Sequence, residues 1–440
     1  MTDLRERAGA IVEILADRIS DPDVVHLVAN AEPALPWEAE EKAYEDLSLV
    51  NGYPGVALLF AELGRTWSHR RSVGHVMLAR ATTRPHPPTG GSLYIGLPAL
   101  AFATRIAAIQ PDDYRSLLEP LDRYVRELAE RQAHTWHQRT TAPGHTAGSM
   151  SLYDVIGGLA GTGRYLLLAG PQCERELRTV LSFLVAITRP GVVAGNQVPG
   201  WWVSGGPRLD IPDDPAYRNG HANLGLSHGI PGPLALFALA WRAGVRVPGQ
   251  REAMEDVVEW LLEWRRSDAY GLCWPETVTM DEHLGRRDPK FSYVATWCYG
   301  APGIARAIQL AGAALSRPDW KQIATDAMRS LANRPEHQWG LHSASLCHGW
   351  AGLLHAASRI AADSDGDPAA LRVADVAAQR MIDLFDADLP FGYRYPMPAP
   401  RKPADGVGLL EGAAGTALAL HGYATGSAPK TRWDAALMVT

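Results

Sequence analysis

Short apolar stretches recur along the chain, and almost no charged residue interrupts them. Residues 56–63, 233–241 and 416–423 are examples, all rich in Ala and Leu. A helix that is apolar on every side is typical of a position buried within a protein. These stretches therefore predict a set of inner helices.

Amphipathic segments lie between the apolar stretches. Their apolar residues recur three and four positions apart, a spacing that places them on one face of a helix. The pattern predicts outer helices that cover the inner ones. Two such rows are Leu177, Val180, Leu181 and Leu184, and Met254, Val257, Val258, Leu261 and Leu262.

A pair of glycines three positions apart precedes each apolar stretch. A Gly-x-Pro-Gly turn suits a helix start, because proline is tolerated in the first helical turn. Repeats of this kind indicate a fold built from similar units. The seven copies begin at Gly52, Gly96, Gly158, Gly229, Gly300, Gly349 and Gly412, and the second copy has Ala99 in place of its second glycine.

Seven pairs of inner and outer helices predict an all-α fold, the α/α toroid, in which a ring of seven inner helices is enclosed by seven outer helices. An open solenoid is the alternative, but its terminal repeats should carry polar outer faces. Here the first and last repeats are as apolar as the others. Since no linker divides the chain, we expect a single domain over residues 1–440.

Long loops rich in Gly, Pro or polar residues interrupt the helices at 133–149, 194–223, 270–291 and 391–406. Each leads into a glycine motif, so we expect them at one end of the ring. Long loops in a compact fold are often functional. Their aromatic residues could form a peptide-binding surface, or could simply pack on the rim; they are Trp201, Trp202, Trp274, Tyr393 and Tyr395.

Composition narrows the class of protein. A net charge of −6 offers no basic field for nucleic acid or anionic lipid. No apolar run approaches the roughly 20 residues that span a bilayer, and residues 1–7 lack the apolar core of a signal peptide. We therefore predict a cytoplasmic protein. Only four cysteines in 440 residues argue against a disulfide scaffold.

Reactive side chains concentrate just before the first glycine of the later repeats. If the repeats are equivalent, residues at one offset from that glycine form a ring at the N-terminal mouth of the inner helices. The position directly before the glycine holds Asn51, Ile95, Gly157, His228, Tyr299, His348 and Glu411, and the position before that includes Cys298 and Cys347.

Cys298, Cys347 and His348 are the candidate metal ligands. Zinc favours thiolate and imidazole ligands, and a catalytic zinc has three protein ligands and one open position. The alternative is two buried cysteines that act as small apolar residues beside a hydrogen-bonded histidine. Cys173 and Cys273 lie outside the shared offset, and we interpret both as structural, with a substitute ligand role conceivable for Cys273.

Four further residues are candidates for acid–base chemistry. His228 could transfer a proton, because histidine titrates near neutral pH, or could be a hydrogen-bonded histidine of the mouth. Asp154 could cap a helix or orient a catalytic group. Tyr299 could donate a hydrogen bond to a developing anion. Glu411 is most simply a charge favoured near a helix N-terminus.

Three segments resemble the lanthionine synthetase C-like family, the lantibiotic cyclases. They are Asn223-Leu-Gly-Leu-Ser-His228-Gly-Ile-Pro-Gly232, Trp297-Cys298-Tyr299-Gly300 and Ser345-Leu-Cys347-His348-Gly349, and the resemblance extends over residues 48–423. It implies an α/α toroid with zinc held by Cys298, Cys347 and His348. It also implies that His228 is the acid/base histidine, Asp154 the active-site aspartate and Tyr299 the active-site tyrosine.

The reaction that the resemblance implies is zinc-dependent addition of precursor-peptide cysteine thiols to dehydroalanine or dehydrobutyrine, which closes thioether rings in antibiotic biosynthesis. The substrate would be a dehydrated precursor peptide, and nothing in the chain resembles a dehydratase, so a separate enzyme would supply the dehydro residues. One departure is Val294, where bacterial cyclases of the family tend to carry arginine. A loop cation such as Lys290 could substitute, the mechanism could do without it, or the activity could differ.

Three other functions remain open from the sequence. The first is addition of glutathione to dehydrated residues, as eukaryotic relatives suggest. The second is a non-catalytic, zinc-containing module that binds peptides. The third is a sugar-processing toroid, which requires two carboxylates flanking the scissile bond. Asp154 and Glu411 are the only carboxylates at the shared offsets, and that function would leave the cysteines unexplained.

Overall fold

The computed structural model describes most of the chain, namely residues 2–31, 46–83, 90–140, 145–207, 214–291, 293–395 and 404–440. Parts of three predicted loops, at 141–144, 208–213 and 396–403, lie outside the described residues. Within the described ranges, no helix is both long enough and apolar enough to cross a membrane.

The described residues form sixteen α-helices. In chain order they are α1 (Thr2–Arg18), α2 (Pro22–Ala29), α3 (Tyr53–Leu63), α4 (Ser68–Ala81), α5 (Leu97–Ala107), α6 (Arg115–Thr140), α7 (Leu159–Ala169), α8 (Glu174–Ala186), α9 (Pro231–Arg242), α10 (Gln250–Glu263), α11 (Met280–His283), α12 (Ala301–Leu315), α13 (Pro318–Asn333), α14 (Trp350–Ala362), α15 (Pro368–Asp383) and α16 (Ala413–Thr425).

Six short strands pair between the helices of the same described ranges. All three pairings, β1 with β2, β3 with β6 and β4 with β5, are antiparallel. The strands are β1 (Gly191–Val193), β2 (Asn196–Val198), β3 (His221–Asn223), β4 (Arg266–Asp268), β5 (Gly271–Cys273) and β6 (Thr277–Thr279).

The seven predicted inner helices are confirmed as α3, α5, α7, α9, α12, α14 and α16. Each begins at a glycine motif, and every residue of α3 is buried. The second glycine of a motif is needed because the chain folds back onto it. A Cβ at Gly303 would lie 2.4 Å from the carbonyl oxygen of Trp297, and one at Gly415 would lie 1.8 Å from that of Leu409. The preceding loop is thereby held against the helix start.

Outer helices follow the inner ones in sequence, as predicted, and α3–α4, α7–α8, α9–α10 and α12–α13 are packed pairs. The last inner helix, α16, has a different kind of partner. Helix α1, from the other end of the chain, packs against it through buried residues that include Val12 and Leu15. The seventh pair thus joins the two ends of the sequence.

The described residues fall into two compact units. The first comprises Met1–Tyr124, Leu341–Ser358 and Leu371–Asp434, and the second comprises Val125–Gly340, Arg359–Ala370 and Ala435–Thr440. Within the first unit, α16 packs against α3, so the first and last inner helices are neighbours. Within the second, α9 packs against both α7 and α12. That the chain is a single domain stays a prediction.

The loop aromatics form no peptide-binding surface, and that interpretation is wrong. All five side chains are buried, and their packing in the core confirms the alternative. The physical reason is that the rings are buried as apolar surface, and four of the five side chains also hydrogen-bond through their polar atom to an internal partner. The Trp274 indole, for example, donates to the carbonyl oxygen of Leu261 at 2.8 Å. The five are Trp201, Trp202, Trp274, Tyr393 and Tyr395.

Candidate metal and acid–base site

A repeated turn shapes the loop before the inner helices. Four residues before the first glycine, a side-chain oxygen accepts the backbone N–H three residues further on. Thr296 accepts from Tyr299 at 3.0 Å, and Ser345 accepts from His348 at 3.2 Å. Ser and Thr hydroxyls commonly close turns in this way. The turn fixes the direction of the residue directly before the glycine.

Backbone hydrogen bonds join these loops from one repeat to the next. In the second unit, Val155 N–H donates to the carbonyl of Ser227 at 2.9 Å, and Ser227 N–H donates to that of Cys298 at 3.4 Å. In the first unit, Cys347 N–H donates to the carbonyl of Leu410 at 3.2 Å, and Leu410 N–H to that of Val50 at the same distance. Within each unit, residues at one offset are therefore neighbours, as the repeat predicted.

Asp154 occupies the turn position of the third repeat and serves two partners. Its Oδ1 accepts the N–H of Gly157 at 2.7 Å, and its Oδ2 lies 2.6 Å from Nδ1 of His228. Gly158, not Asp154, is the N-cap of α7, so the capping alternative is wrong. Because the backbone holds the buried carboxylate, its second oxygen orients the ring of His228 and leaves Nε2 for other contacts.

Tyr299 shares this part of the site with His228, at a distance of 6.5 Å between the ring centroids. A Cβ at Gly225 would lie 2.7 Å from Cε1 of Tyr299, so the ring packs directly on glycine backbone. The Tyr299 hydroxyl accepts a hydrogen bond from Nδ2 of Asn223 at 3.0 Å. No sequence pattern predicted this contact, although Asn223 stands in the segment that carries the family resemblance.

Cys298 is buried, with the hydroxyl oxygen of Thr296 at 3.3 Å from its sulfur. The neighbouring Trp297 is anchored by its indole N–H, which donates to the carbonyl of Leu437 at 2.8 Å. The two residues that precede the cysteine therefore help to fix its loop.

Cys347 is half-buried and His348 is exposed, with Sγ of the cysteine 3.9 Å from Nε2 of the histidine. Nδ1 of His348 is 3.0 Å from Oε1 of Glu411. A carboxylate that binds one imidazole nitrogen fixes the ring so that the other nitrogen can coordinate a metal. Glu411 is thus a partner of His348, a contact that the simpler interpretation as a helix-terminal charge did not foresee.

The ligand atoms of Cys298, Cys347 and His348 all lie within 4.8 Å of one another. In a tetrahedral site with zinc–sulfur bonds of about 2.3 Å, ligand atoms are separated by roughly 3.3–3.8 Å. The cluster could therefore bind a metal after small side-chain adjustments. Two sulfurs and one imidazole nitrogen suit zinc, and three protein ligands leave a fourth position for a substrate.

Neither remaining cysteine belongs to this cluster. Cys173 and Cys273 are buried elsewhere, and burial raises the pKa of the Cys273 thiol. Among the described residues, the cluster of possible metal ligands does not include Cys273, so the structure gives no support for its substituting for Cys298 or Cys347.

Val294 lines a small cavity of about 30 Å³ together with Trp274 and Arg334. The guanidinium of Arg334 lies 3.9 Å from the ring of Tyr293 and pairs with Asp268 at 2.6 Å. This cation is therefore already matched by a carboxylate. Whether Lys290, which is exposed, substitutes for the expected arginine stays a prediction.

Two known proteins are similar to this chain over most of its length. Nisin biosynthesis protein NisC of Lactococcus lactis subsp. lactis is 24% identical over 346 residues, which cover 76% of this chain and 79% of that protein. The solved structure of nisin cyclase superposes with a TM-score of 0.71 at 22% identity and covers 90% of this chain and 92% of that one. The predicted fold is confirmed, because nisin cyclase is an α/α toroid.

The family model described as lanthionine synthetase C-like protein matches residues 43–438. That range contains every residue of the candidate site, from Asp154 to Glu411. The chain therefore belongs to the lanthionine synthetase C-like family.

Proposed function

We propose that this protein is a zinc-dependent lanthipeptide cyclase. The observation that carries the proposal is the cluster of Cys298, Cys347 and His348, in a chain that the family model matches almost throughout. The two relatives named above are a nisin biosynthesis protein and a nisin cyclase, which supports the same reaction here.

Cys298, Cys347 and His348 would hold the zinc ion. When bound, zinc would supply a Lewis acid that lowers the pKa of a substrate cysteine thiol, so that a thiolate is present at neutral pH. Glu411 would keep the imidazole of His348 in the orientation that presents Nε2. Thr296 would hold the loop of Cys298 in place through its contacts with the cysteine sulfur and with Tyr299.

His228 would be the acid that completes the ring closure. The substrate sulfur adds to the β-carbon of dehydroalanine or dehydrobutyrine, and the π electrons of the C=C bond move toward the carbonyl as an enolate. The enolate carbon Cα then takes a proton, for which His228 is our first choice and Tyr299 our second. Asp154, hydrogen-bonded to Nδ1 of His228, would orient that acid.

The substrate would be a precursor peptide whose serines and threonines a separate dehydratase has already converted. We place this step in antibiotic biosynthesis in the cytoplasm. The sugar-processing alternative is disfavoured because Asp154 and Glu411 each bind a histidine, and neither is a carboxylate set beside an open bond-cleavage position.

The first experiment tests zinc and ring formation together. The wild-type protein is incubated with a synthetic peptide that carries one cysteine and one dehydroalanine, and ring closure is followed as loss of alkylatable thiol at constant peptide mass. Cys347→Ala should lose zinc and cyclisation together, while the matched control Cys273→Ala should keep both. Stoichiometric zinc with full ring formation in Cys347→Ala would refute the ligand assignment.

A second variant separates the acid from the metal. His228→Ala should keep one zinc ion per chain but should close rings slowly or protonate Cα on the wrong face. The ratio of lanthionine diastereomers and the rate are both measured. A wild-type rate and a wild-type ratio would remove His228 from the mechanism.

The same assay distinguishes the alternatives. A cysteine-free dehydrated peptide with added glutathione tests whether the protein adds a free thiol to a dehydrated residue. This activity is the second candidate function, because Val294 stands where bacterial cyclases of the family tend to carry arginine. Chelation followed by circular dichroism tests a purely structural zinc, because a catalytic metal should leave the helices intact when it is removed. Unfolding upon chelation, together with no turnover, would favour the non-catalytic peptide-binding module.

A further inference from the structure

Asn223 is a buried polar residue beside the acid–base pair. It ends β3 and pairs with Thr277 of β6, which fixes its backbone. Its side chain is fully buried. A buried amide is costly unless its donors and acceptors are matched, so its contacts show where its hydrogen-bonding capacity is used.

The orientation of the Asn223 amide follows from one neighbour. The backbone N–H of Gly225 is a donor only, and it lies 2.8 Å from the Oδ1 position. The oxygen of the amide must therefore face Gly225, and the NH₂ group must face the other way. On that side lie the Tyr299 hydroxyl at 3.0 Å and the Met150 sulfur at 3.2 Å.

The direction of the hydrogen bond from Asn223 to Tyr299 decides which group the Tyr299 hydroxyl can donate to. A tyrosine hydroxyl has a single proton and can also accept hydrogen bonds. Because Asn223 donates to the oxygen, that proton cannot point back at Asn223. The ring is held on Gly225 and lies beside His228, so the hydroxyl is positioned in the same part of the site as the acid.

We propose that Asn223 is a positioning residue, which orients the Tyr299 hydroxyl so that it donates a hydrogen bond to the enolate oxygen formed during thioether closure. The proposal rests on the proposed cyclase function. The substrate thiol releases its proton to solvent, the C–S bond forms, and the π electron pair moves to the carbonyl oxygen, where the Tyr299 hydroxyl stabilises it. His228 then delivers a proton to Cα and is reprotonated from solvent, so that Tyr299 keeps its own proton throughout.

Asn223→Asp reverses the hydrogen bond at almost constant size. The carboxylate still accepts from Gly225 but also accepts the Tyr299 proton, which withdraws it from the substrate. Loss of one donor to a developing oxyanion typically lowers kcat by about 100-fold or more. We expect kcat to fall by roughly 10- to 100-fold with KM changed less than about twofold, since the lost interaction forms only as charge develops. Asn196→Asp, which adds the same charge at a partly exposed position of β2, is the matched control and should behave as wild type.

A double-mutant cycle distinguishes positioning from structure. Asn223→Ala should lower kcat in the wild-type background but change it by less than about twofold in a Tyr299→Phe background, because there is then no hydroxyl to orient. Melting temperature and zinc content are measured for every variant and should stay close to wild type. An equal loss of kcat in both backgrounds, or unfolding of Asn223→Ala, would overturn the proposal. Failure of the wild-type protein to close rings would instead refute the cyclase function itself.

Discussion

Asp154→Asn is the most direct test of the acid–base pair. The substitution keeps the size of the side chain, and its amide oxygen can still accept the N–H of Gly157. In the wild-type protein this N–H lies 2.7 Å from Oδ1 of Asp154. The other half of the side chain changes from an acceptor to a donor. The NH₂ group would then donate to Nδ1 of His228, which forces the ring proton onto Nε2 and reverses the tautomer that the carboxylate selects.

The size of the effect follows from the interaction that is lost. A hydrogen bond to a charged partner contributes about 1.5–3 kcal/mol, and the 2.6 Å contact on a buried carboxylate is of that kind. Since about 1.4 kcal/mol corresponds to a tenfold change in rate, kcat should fall by roughly 10- to 150-fold. The turn at Gly157 is retained, so we expect little loss of stability.

The assay is single-turnover ring closure with the dehydroalanine peptide at saturating concentration. The matched control is Asp434→Asn, which breaks a second buried histidine–aspartate pair, between Asp434 and His355 at 2.9 Å. That variant should melt at a lower temperature but keep its kcat. If Asp154→Asn closes rings at the wild-type rate, or if both variants lose the same activity, the assignment of Asp154 as an orienting residue is wrong.

Three further results are expected. Glu411→Gln should weaken zinc binding by roughly 10- to 100-fold in a chelator competition, because the carboxylate orients His348; unchanged affinity would contradict this role. Gly225→Ala should lower the free energy of unfolding in urea by about 1–3 kcal/mol and slow ring closure, because its Cβ would meet the Tyr299 ring at 2.7 Å; wild-type behaviour would show that the ring moves freely. Burial lowers the pKa of His221 to about 4, so between pH 6.5 and 4 the unfolded chain binds more protons at this residue than the folded chain does. The free energy of unfolding should therefore fall by about 3 kcal/mol as the pH drops through that range. His221→Gln should flatten this slope, and an unchanged slope would locate the pH dependence elsewhere.

The inner helices could be predicted from the sequence because one local pattern encodes them. Two glycines and a following apolar stretch specify both the tight approach of the loop and the buried helix, and both are properties of neighbouring residues. The ring of reactive positions followed from the same repeat. The repeated spacing within the chain thus predicted that Cys298, Cys347 and His348 lie close together.

The contacts that sequence analysis missed join residues far apart in the chain. Glu411 follows His348 by more than sixty positions, and nothing near either residue signals the pair. The packing of α1 on α16 likewise depends on the ends of the chain meeting, which no local pattern encodes. The turn before the inner helices could have been predicted from the sequence, because Ser48, Thr296 and Ser345 each stand four positions before the first glycine of a motif.

The backbone hydrogen bonds between neighbouring loops have a consequence for how such a site can change. These bonds run through N–H and carbonyl groups, so they do not depend on which side chain stands at the offset next to the glycine. Asn51, Ile95 and Gly157 occupy that offset in the first three repeats without any catalytic assignment. Residues there can therefore be exchanged without loss of these backbone bonds, so the same loop frame can present different side chains to a substrate.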